Sequence, residues 1–189
     1  MPASTQKLDS YLGATPYDVT LRLFFALWPT PALRATIAQH ALLWGFVPPA
    51  RPTIPDKLHL TVLFMDGAPK ARLQEVVALG AKIACEAQPF RLRLDQAEIW
   101  PQGGIAHLAP TQVPRELTEL RVGLARAAKA AGIPFDARPF RPHVTLARGA
   151  QASLPPEGFA PIFWHAVDFC LVRSVLGTGR YAVLARWTV

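Results

Sequence analysis

The sequence predicts an α+β fold made of two similar lobes that face one another across a central cleft. Three observations lead to this prediction. The order strand, helix, strand occurs twice along the chain. Both occurrences end in the same triplet, His-x-Thr. Hydrophobic residues make up 51% of the 189 residues, which is typical of a globular protein and not of a disordered one.

The first unit begins with an apolar segment, 21–28, which indicates a buried strand. A helix is predicted over 30–45, because Thr30 is a good N-cap, Pro31 suits the first helical position and Gly45 suits the position after the end. A proline-rich loop then leads to the strand 58–65, which carries the first triplet.

Between the two units, an amphipathic pattern predicts a second helix over 69–87. The following segment, 89–100, alternates apolar and polar residues as a half-buried strand does.

The second unit starts with a short strand, 104–109, after a Gly-Gly turn. A helix is predicted over 114–131, and a strand over 142–148 carries the second triplet. Two further strands, 162–176 and 180–188, are predicted to complete the fold.

The organisation of the chain is predicted to be simple. We expect 1–19 to be a polar N-terminal extension and 20–189 to be a single bilobal domain. The longest apolar run, Leu23–Trp28, is too short to cross a bilayer, so we expect no membrane association. Cys85 and Cys170 lie in apolar segments and are expected to be reduced core thiols of a cytoplasmic, monomeric protein.

The net charge of +7 suits an anionic substrate or RNA. Fifteen of the twenty basic residues are arginine, which makes bidentate contacts with phosphate. An arginine-rich genome would give the same bias, so charge alone does not identify the substrate.

The two triplets indicate the chemistry. Side chains two positions apart on a strand point to the same face, with Cα atoms roughly 6.5 Å apart. Each triplet therefore presents one imidazole and one hydroxyl group. Two such pairs across a cleft supply a general acid, a general base and hydroxyl donors for phosphate oxygens, which suits hydrolysis of a strained cyclic phosphodiester.

Two other interpretations compete with this one. A single His-x-Thr on a strand is most often a hydrogen-bonded histidine beside a β-forming residue, although two copies at equivalent positions favour a function. A zinc site needs further ligands, and neither triplet has an adjacent His, Cys or carboxylate. We therefore expect no metal and no other cofactor.

Longer segments around the triplets resemble a known family. The segments RLFFALWP, LHLTVLF, RPFRPHVTLAR and LVRSVLGTGRYAVLARW are similar to those of the 2H phosphoesterase superfamily, and in particular to bacterial RNA 2′,3′-cyclic phosphodiesterases, once called 2′-5′ RNA ligases. The resemblance implies a bilobal fold with pseudo-twofold symmetry and metal-independent hydrolysis of 2′,3′-cyclic phosphates to 2′-phosphates. It makes His59, Thr61, His143 and Thr145 the catalytic residues, with His59 as proton donor and His143 as proton acceptor.

Three further residues are candidates for substrate binding. Arg148 lies three positions after Thr145, so an ideal strand would aim it away from the cavity, but the resemblance makes it a base or phosphate contact. Arg141 is a candidate on the face of the triplet itself. Phe25 is a candidate for stacking on a base, with core packing as the alternative. His107 departs from the more apolar strand of the family and is interpreted as a tolerated strand residue.

The sequence thus predicts an enzyme that acts on RNA or nucleotides with 2′,3′-cyclic phosphate ends. The alternatives are an RNA-end-binding protein without catalysis, and a ligase that joins 2′-5′ ends. The physiological RNA is not determined by the sequence.

Overall fold

The computed structural model describes residues 20–175, 177 and 179–189, so the predicted extension 1–19 lies outside the described residues. Within these residues, strands and helices follow the order β1 (Thr20–Leu27), α1 (Pro31–Ala41), β2 (Arg51–Pro52), β3 (Leu60–Pro69), α2 (Leu73–Ala84), β4 (Phe90–Leu94), β5 (Gln96–Trp100), β6 (Ile105–Ala109), α3 (Arg115–Ala130), β7 (Val144–Arg148), β8 (Ile162–Ala166), β9 (Asp168–Val175) and β10 (Arg180–Thr188).

The helices begin where their caps predict. The Thr30 hydroxyl accepts a hydrogen bond from the Leu33 N–H at 3.3 Å, and Pro31 is the first residue of α1. The helix ends at Ala41, earlier than predicted, because Gly45 forms a β-bridge with Leu154 instead of a helix end. Helix α2 starts only at Leu73, since β3 extends to Pro69 and a short 3₁₀ turn follows it.

The strands form one large antiparallel sheet in the order β10-β9-β1-β3-β7-β6-β5, with β2 also paired to β7. The sequence predicts a separate sheet for each lobe, whereas the two halves are continuous in the structure. They join where Leu60 of β3 pairs with Val144 of β7. The strands of the two halves are therefore hydrogen-bonded to each other at this seam, and the sheet is not interrupted between them.

Two segments predicted as single strands are each divided between two sheets. Strands β4 and β8 form a separate two-stranded sheet, while β5 and β9 belong to the large one. Asp95 marks the first division, because its carboxylate accepts hydrogen bonds from the N–H and hydroxyl of Thr111, at 2.8 and 2.7 Å. The apolar alternation changes phase at both breaks, from Leu94 to Ala97 and from Ala166 to Phe169, and this change of phase accompanies the change of sheet.

The large sheet has one face in the main core and one face toward the two triplets. Phe25 is fully buried in the main core against Phe169 and Trp187, with ring centroids 6.0 Å from each. The prediction that Phe25 stacks on a base is therefore wrong, because its ring lies on the opposite side of β1. The next residue, Phe24, takes the other face.

The structure bears on the predictions for the two cysteines and for membrane-spanning segments. Both cysteines are free thiols, but only Cys170 is buried, whereas Cys85 is exposed at the end of α2. None of the described helices is long and apolar enough to cross a membrane.

Candidate active site

The two His-x-Thr triplets lie side by side at the seam of the large sheet. Leu60 and Val144 pair across the seam and are fully buried on the core side. Each of these residues stands between the histidine and the threonine of its own triplet. Because side chains alternate along a strand, the residues on either side of Leu60 and Val144 turn toward the other face of the sheet. The structure thus brings the two predicted pairs onto one surface.

Both histidines are oriented by the same backbone contact. The Nδ1 atom of His59 lies 2.6 Å from the carbonyl oxygen of Lys57, and that of His143 lies 2.8 Å from the carbonyl oxygen of Arg141. A carbonyl oxygen can only accept a hydrogen bond, so Nδ1 carries the proton in both rings. Nε2 is therefore the unprotonated nitrogen of each neutral ring and the one that can accept a proton.

The threonines differ in their contacts. The Nε2 atom of His59 lies 3.1 Å from the Thr61 hydroxyl oxygen, so in the neutral ring Nε2 accepts the hydroxyl proton. Thr145 makes no such contact with His143 in the described part of the chain, and it pairs across the sheet with His107 of β6. The two pairs are therefore equivalent in position but not in hydrogen bonding.

Aromatic side chains enclose the His59 ring. The indole of Trp28 is stacked on it, with a centroid distance of 5.3 Å and an angle of 11° between the planes. Phe24 and Tyr181 approach at 4.9 and 5.4 Å. An indole face stabilises a cation placed over it, so this stack offsets part of the cost of protonating His59 in its buried position.

A second ring cluster surrounds His143 and includes a histidine that sequence reasoning treated as incidental. Trp100 and His107 approach the His143 ring at 4.5 and 5.6 Å, and they contact each other at 4.3 Å. His107 is only 1% exposed, and its Nδ1 lies 3.0 Å from the Ile105 carbonyl oxygen. The sequence signal for it was a polar residue in an otherwise apolar strand that follows a Gly-Gly turn.

Burial and positive neighbours keep both histidines neutral in the free protein. Burial, which is the largest cause, and the charges of His143 and Arg148 together lower the pKa of His59 to about 4, against the opposing effect of the Lys57 carbonyl. Burial also lowers the pKa of His143, the Arg141 carbonyl raises it, and His107 and Arg148 lower it. An anion bound between the two rings would raise both pKa values, because it stabilises the imidazolium form.

A β-bulge brings Arg148 to the site despite its unfavourable spacing. His107 pairs with Thr145, but the preceding residue, Ala106, pairs with Ala147 instead of Leu146. Strand β7 therefore holds one extra residue, and the residues beyond it exchange faces. Arg148 lies on the face of Thr145 for this reason, and its charge affects both histidines.

The other predicted arginine contributes through its backbone. Arg141 is exposed, and its carbonyl oxygen orients the His143 ring. No contact joins the Arg141 guanidinium to either histidine among the residues that the structure describes. The described residues also contain no group of three or more His, Cys, Asp or Glu side chains arranged to hold a metal ion.

Known proteins resemble this chain in sequence and in structure. Residues 20–169 match the model of the 2′-5′ RNA ligase superfamily. The RNA 2′,3′-cyclic phosphodiesterase of Escherichia coli K12 is 36% identical over 179 residues, which cover 89% of this chain and 96% of that protein. The protein of the same name from Thermus thermophilus is 33% identical and covers 82% of this chain and 83% of its own length.

Solved structures confirm the fold. The crystal structure of E. coli LigT complexed with 3′-AMP superimposes with a TM-score of 0.79 at 32% identity, covering 90% of this chain and 98% of that one. The same protein complexed with NADP⁺ gives a TM-score of 0.77 at 31% identity, with the same coverage of both chains.

Proposed function

The chain belongs to the 2′-5′ RNA ligase superfamily, and we propose that it hydrolyses the 2′,3′-cyclic phosphate ends of RNA or nucleotides to 2′-phosphates. The observation that carries this proposal is the pair of His-x-Thr triplets at the β3–β7 seam. Both histidines have Nδ1 anchored to a carbonyl oxygen, which leaves Nε2 as the nitrogen that exchanges a proton and suits one proton donor and one proton acceptor.

The proposed reaction is an in-line displacement at phosphorus. His143 accepts a proton from water through Nε2 while the water oxygen forms a bond to phosphorus. The bond from phosphorus to the ribose 3′-oxygen breaks, and protonated His59 gives its Nε2 proton to that oxygen. The phosphate stays on the 2′-oxygen. Attacking and leaving oxygens lie roughly in line, so the two rings must stand on opposite sides of the phosphate.

The assignment of His59 as the acid follows from the family resemblance, and one contact in the structure supports it. The Trp28 indole face lies against His59 and favours a cation there. His143 has a second imidazole, His107, beside it, and the charge of His107 lowers the pKa of His143. The pKa of His59 is itself lowered to about 4 in the free protein, so His59 acts as the acid only after the bound phosphate anion has raised its pKa.

The two threonines are proposed to hold the phosphate oxygens. In the neutral site the Thr61 hydroxyl proton is directed to His59 Nε2. When His59 binds a proton, Nε2 can no longer accept, and the Thr61 O–H becomes available to a non-bridging phosphate oxygen. Protonation of His59 and the hydrogen bond from Thr61 to the phosphate are linked in this way.

The decisive experiment incubates the purified protein with 2′,3′-cyclic AMP and follows phosphorus by NMR, with and without EDTA. We expect 2′-AMP as the product and the same rate in both samples, because the acid–base mechanism needs no metal. Loss of activity in EDTA that zinc or manganese restores would overturn this mechanism. If a short RNA with a cyclic phosphate end binds but neither substrate is hydrolysed, the protein is an RNA-end binder.

The monomeric state and the cytoplasmic location stay predictions from the sequence. Light scattering on the purified protein tests the first, and fractionation of cells that produce it tests the second.

A further inference from the structure

Two arginines lie directly opposite each other beside the candidate active site. Arg51 of β2 pairs with Arg148 of β7, and the next pair is Pro52 with Ala147. Directly opposite residues of an antiparallel pair have their Cβ atoms about 5 Å apart on the same face of the sheet. Since the bulge in β7 puts Arg148 on the face of the two histidines, Arg51 lies on that face as well.

This pair of like charges has no acidic partner in the described part of the chain. Arg51 and Arg148 are both exposed, and neither forms an ion pair there. Arginines elsewhere do form such pairs: Arg34 with Asp56, Arg72 with Glu75, Arg115 with Glu119, Arg138 with Asp136 and Arg186 with Asp168. Like charges directly opposite one another are unfavourable in a sheet, and an anion bound between them relieves the repulsion.

Hydrogen bonds donated by backbone N–H groups on either side of β2 hold this short strand, which carries Arg51, in place. The Thr53 N–H donates to the Leu146 carbonyl oxygen at 2.7 Å, and the Val47 N–H donates to the Ser153 hydroxyl at 3.1 Å. Gly149, directly after Arg148, has a φ of 70°, and a Cβ there would lie 3.2 Å from the Pro49 carbonyl oxygen. A side chain at position 149 would push the segment before β2 away from the end of β7. Glycine therefore allows β2 to stay against β7, and this keeps the two arginines side by side before a ligand binds.

The two arginines differ in their distance from the reaction. The charge of Arg148 affects both histidines, whereas Arg51 is not among the charges that affect either one. Arg148 thus lies beside the position of the cyclic phosphate, and Arg51 lies on β2, which pairs with the same edge of β7 as β3 does. A mononucleotide has only one phosphate, but an RNA end has a second phosphodiester one nucleotide upstream.

We propose that Arg51, next to Arg148, binds the phosphodiester that precedes the cyclic phosphate, while Arg148 faces the cyclic phosphate itself, so that oligonucleotides are preferred to free cyclic mononucleotides. This inference rests on the proposed function and deepens it by naming the substrate class. A guanidinium suits the role because its planar set of N–H donors makes two parallel hydrogen bonds to a phosphate.

The test compares two substrates, 2′,3′-cyclic AMP and a trinucleotide of adenosine with a 2′,3′-cyclic phosphate end. Arg51→Ala should lower kcat/KM for the trinucleotide about tenfold more than for the mononucleotide, since one charged hydrogen-bonding group is lost. The kcat/KM of Arg51→Lys for the trinucleotide should lie between those of the unchanged protein and Arg51→Ala, because lysine keeps the charge without the bidentate geometry. Equal losses on both substrates, or no loss on either, would overturn the inference.

A matched control removes the same charge from the other side of the sheet. Arg126 is exposed on α3, and Arg126→Ala should leave the ratio of the two kcat/KM values unchanged. Salt dependence gives an independent readout. For the trinucleotide, the slope of log kcat/KM against log salt should be less steep in Arg51→Ala by about the contribution of one phosphate contact.

Binding separates this inference from the proposed function. A labelled trinucleotide with a 2′-phosphate end is titrated with each protein in a fluorescence anisotropy experiment, with 2′-AMP as competitor. We expect about tenfold weaker trinucleotide binding by Arg51→Ala, with a smaller effect on 2′-AMP. If neither cyclic substrate is hydrolysed, the proposed function fails, and the trinucleotide titration alone decides on Arg51. Equal trinucleotide affinity of both proteins would sink the role of Arg51 even in an active enzyme.

Discussion

Leu60 pairs with Val144 across the seam of the sheet, and each is buried between the histidine and the threonine of its own triplet. This pairing places the side chains of the two histidines and the two threonines on one surface, in equivalent positions on their strands. The carbonyl oxygen two residues before each histidine orients its ring. The two halves differ in hydrogen bonding and in ring contacts.

The first prediction separates the acid from the base. His59→Ala and His143→Ala should each slow hydrolysis of 2′,3′-cyclic AMP by about 10²–10⁴-fold, because each removes one proton-transfer step. An aryl phosphodiester with a good leaving group needs little help from an acid, so it should partly restore the rate of His59→Ala but not of His143→Ala. Restoration of His143→Ala instead would reverse the two roles.

The second prediction concerns the pH dependence of catalysis. Productive binding needs one ring protonated and the other neutral, and burial places the pKa of both rings below the ordinary 6.5 in the free protein. The profile of kcat/KM should therefore be bell-shaped with its maximum below pH 6.5. The kcat profile should lie at higher pH, because the bound phosphate anion stabilises the imidazolium. A kcat/KM maximum on the alkaline side of neutrality would contradict these environments.

The third prediction concerns stability. The pKa of His59 is lowered from 6.5 to about 4 on folding, so the unfolded chain binds more protons between these values. The contribution of His59 to the free energy of unfolding is fully present above pH 6.5 and is lost as the pH falls toward 4, by at most about 3 kcal/mol. Urea unfolding of His59→Gln should show a correspondingly weaker loss of stability in acid. The same pH dependence in both proteins would argue against a buried, neutral His59.

The fourth prediction concerns His107. His107→Phe keeps an aromatic ring against Trp100 and removes a group whose charge lowers the pKa of His143. The pKa of His143, followed by NMR of its ring, should therefore rise. Burial lowers the pKa of His107, and Glu98, which pairs with it across the sheet, partly opposes this, so Glu98→Gln should shift the His143 titration in the same direction by a smaller amount. An unchanged His143 titration in both variants would show that His107 only fills space.

The fifth prediction compares two arginines in the same segment. Arg148→Ala should raise KM by about tenfold and lower kcat less, because its charge lies near the position of the phosphate. Arg141→Ala should have the smaller effect, since the carbonyl oxygen that orients His143 is retained in the variant. Steady-state kinetics on a short cyclic-phosphate-ended RNA measures both. A larger effect of Arg141→Ala would place its guanidinium, and not that of Arg148, at the substrate.

Some features of the site are local, and the sequence alone determines them. The spacing of His59 and Thr61 puts both on one face of a strand, whatever that strand pairs with, because successive side chains alternate. The same holds for the second triplet, and the Thr30 and Pro31 signals locate the start of α1 for a similarly local reason. The two candidate pairs and the α+β class were therefore accessible from the residues themselves.

Other features depend on pairing between distant segments, and only the tertiary structure decides them. The bulge between β6 and β7 turns Arg148 toward the histidines, although the spacing from Thr145 predicts the opposite face. Phe24 and Phe25 are indistinguishable in sequence, and the core side of β1 selects Phe25. Register and sheet order arise from contacts far apart in the chain, so no local pattern encodes which face a residue finally occupies.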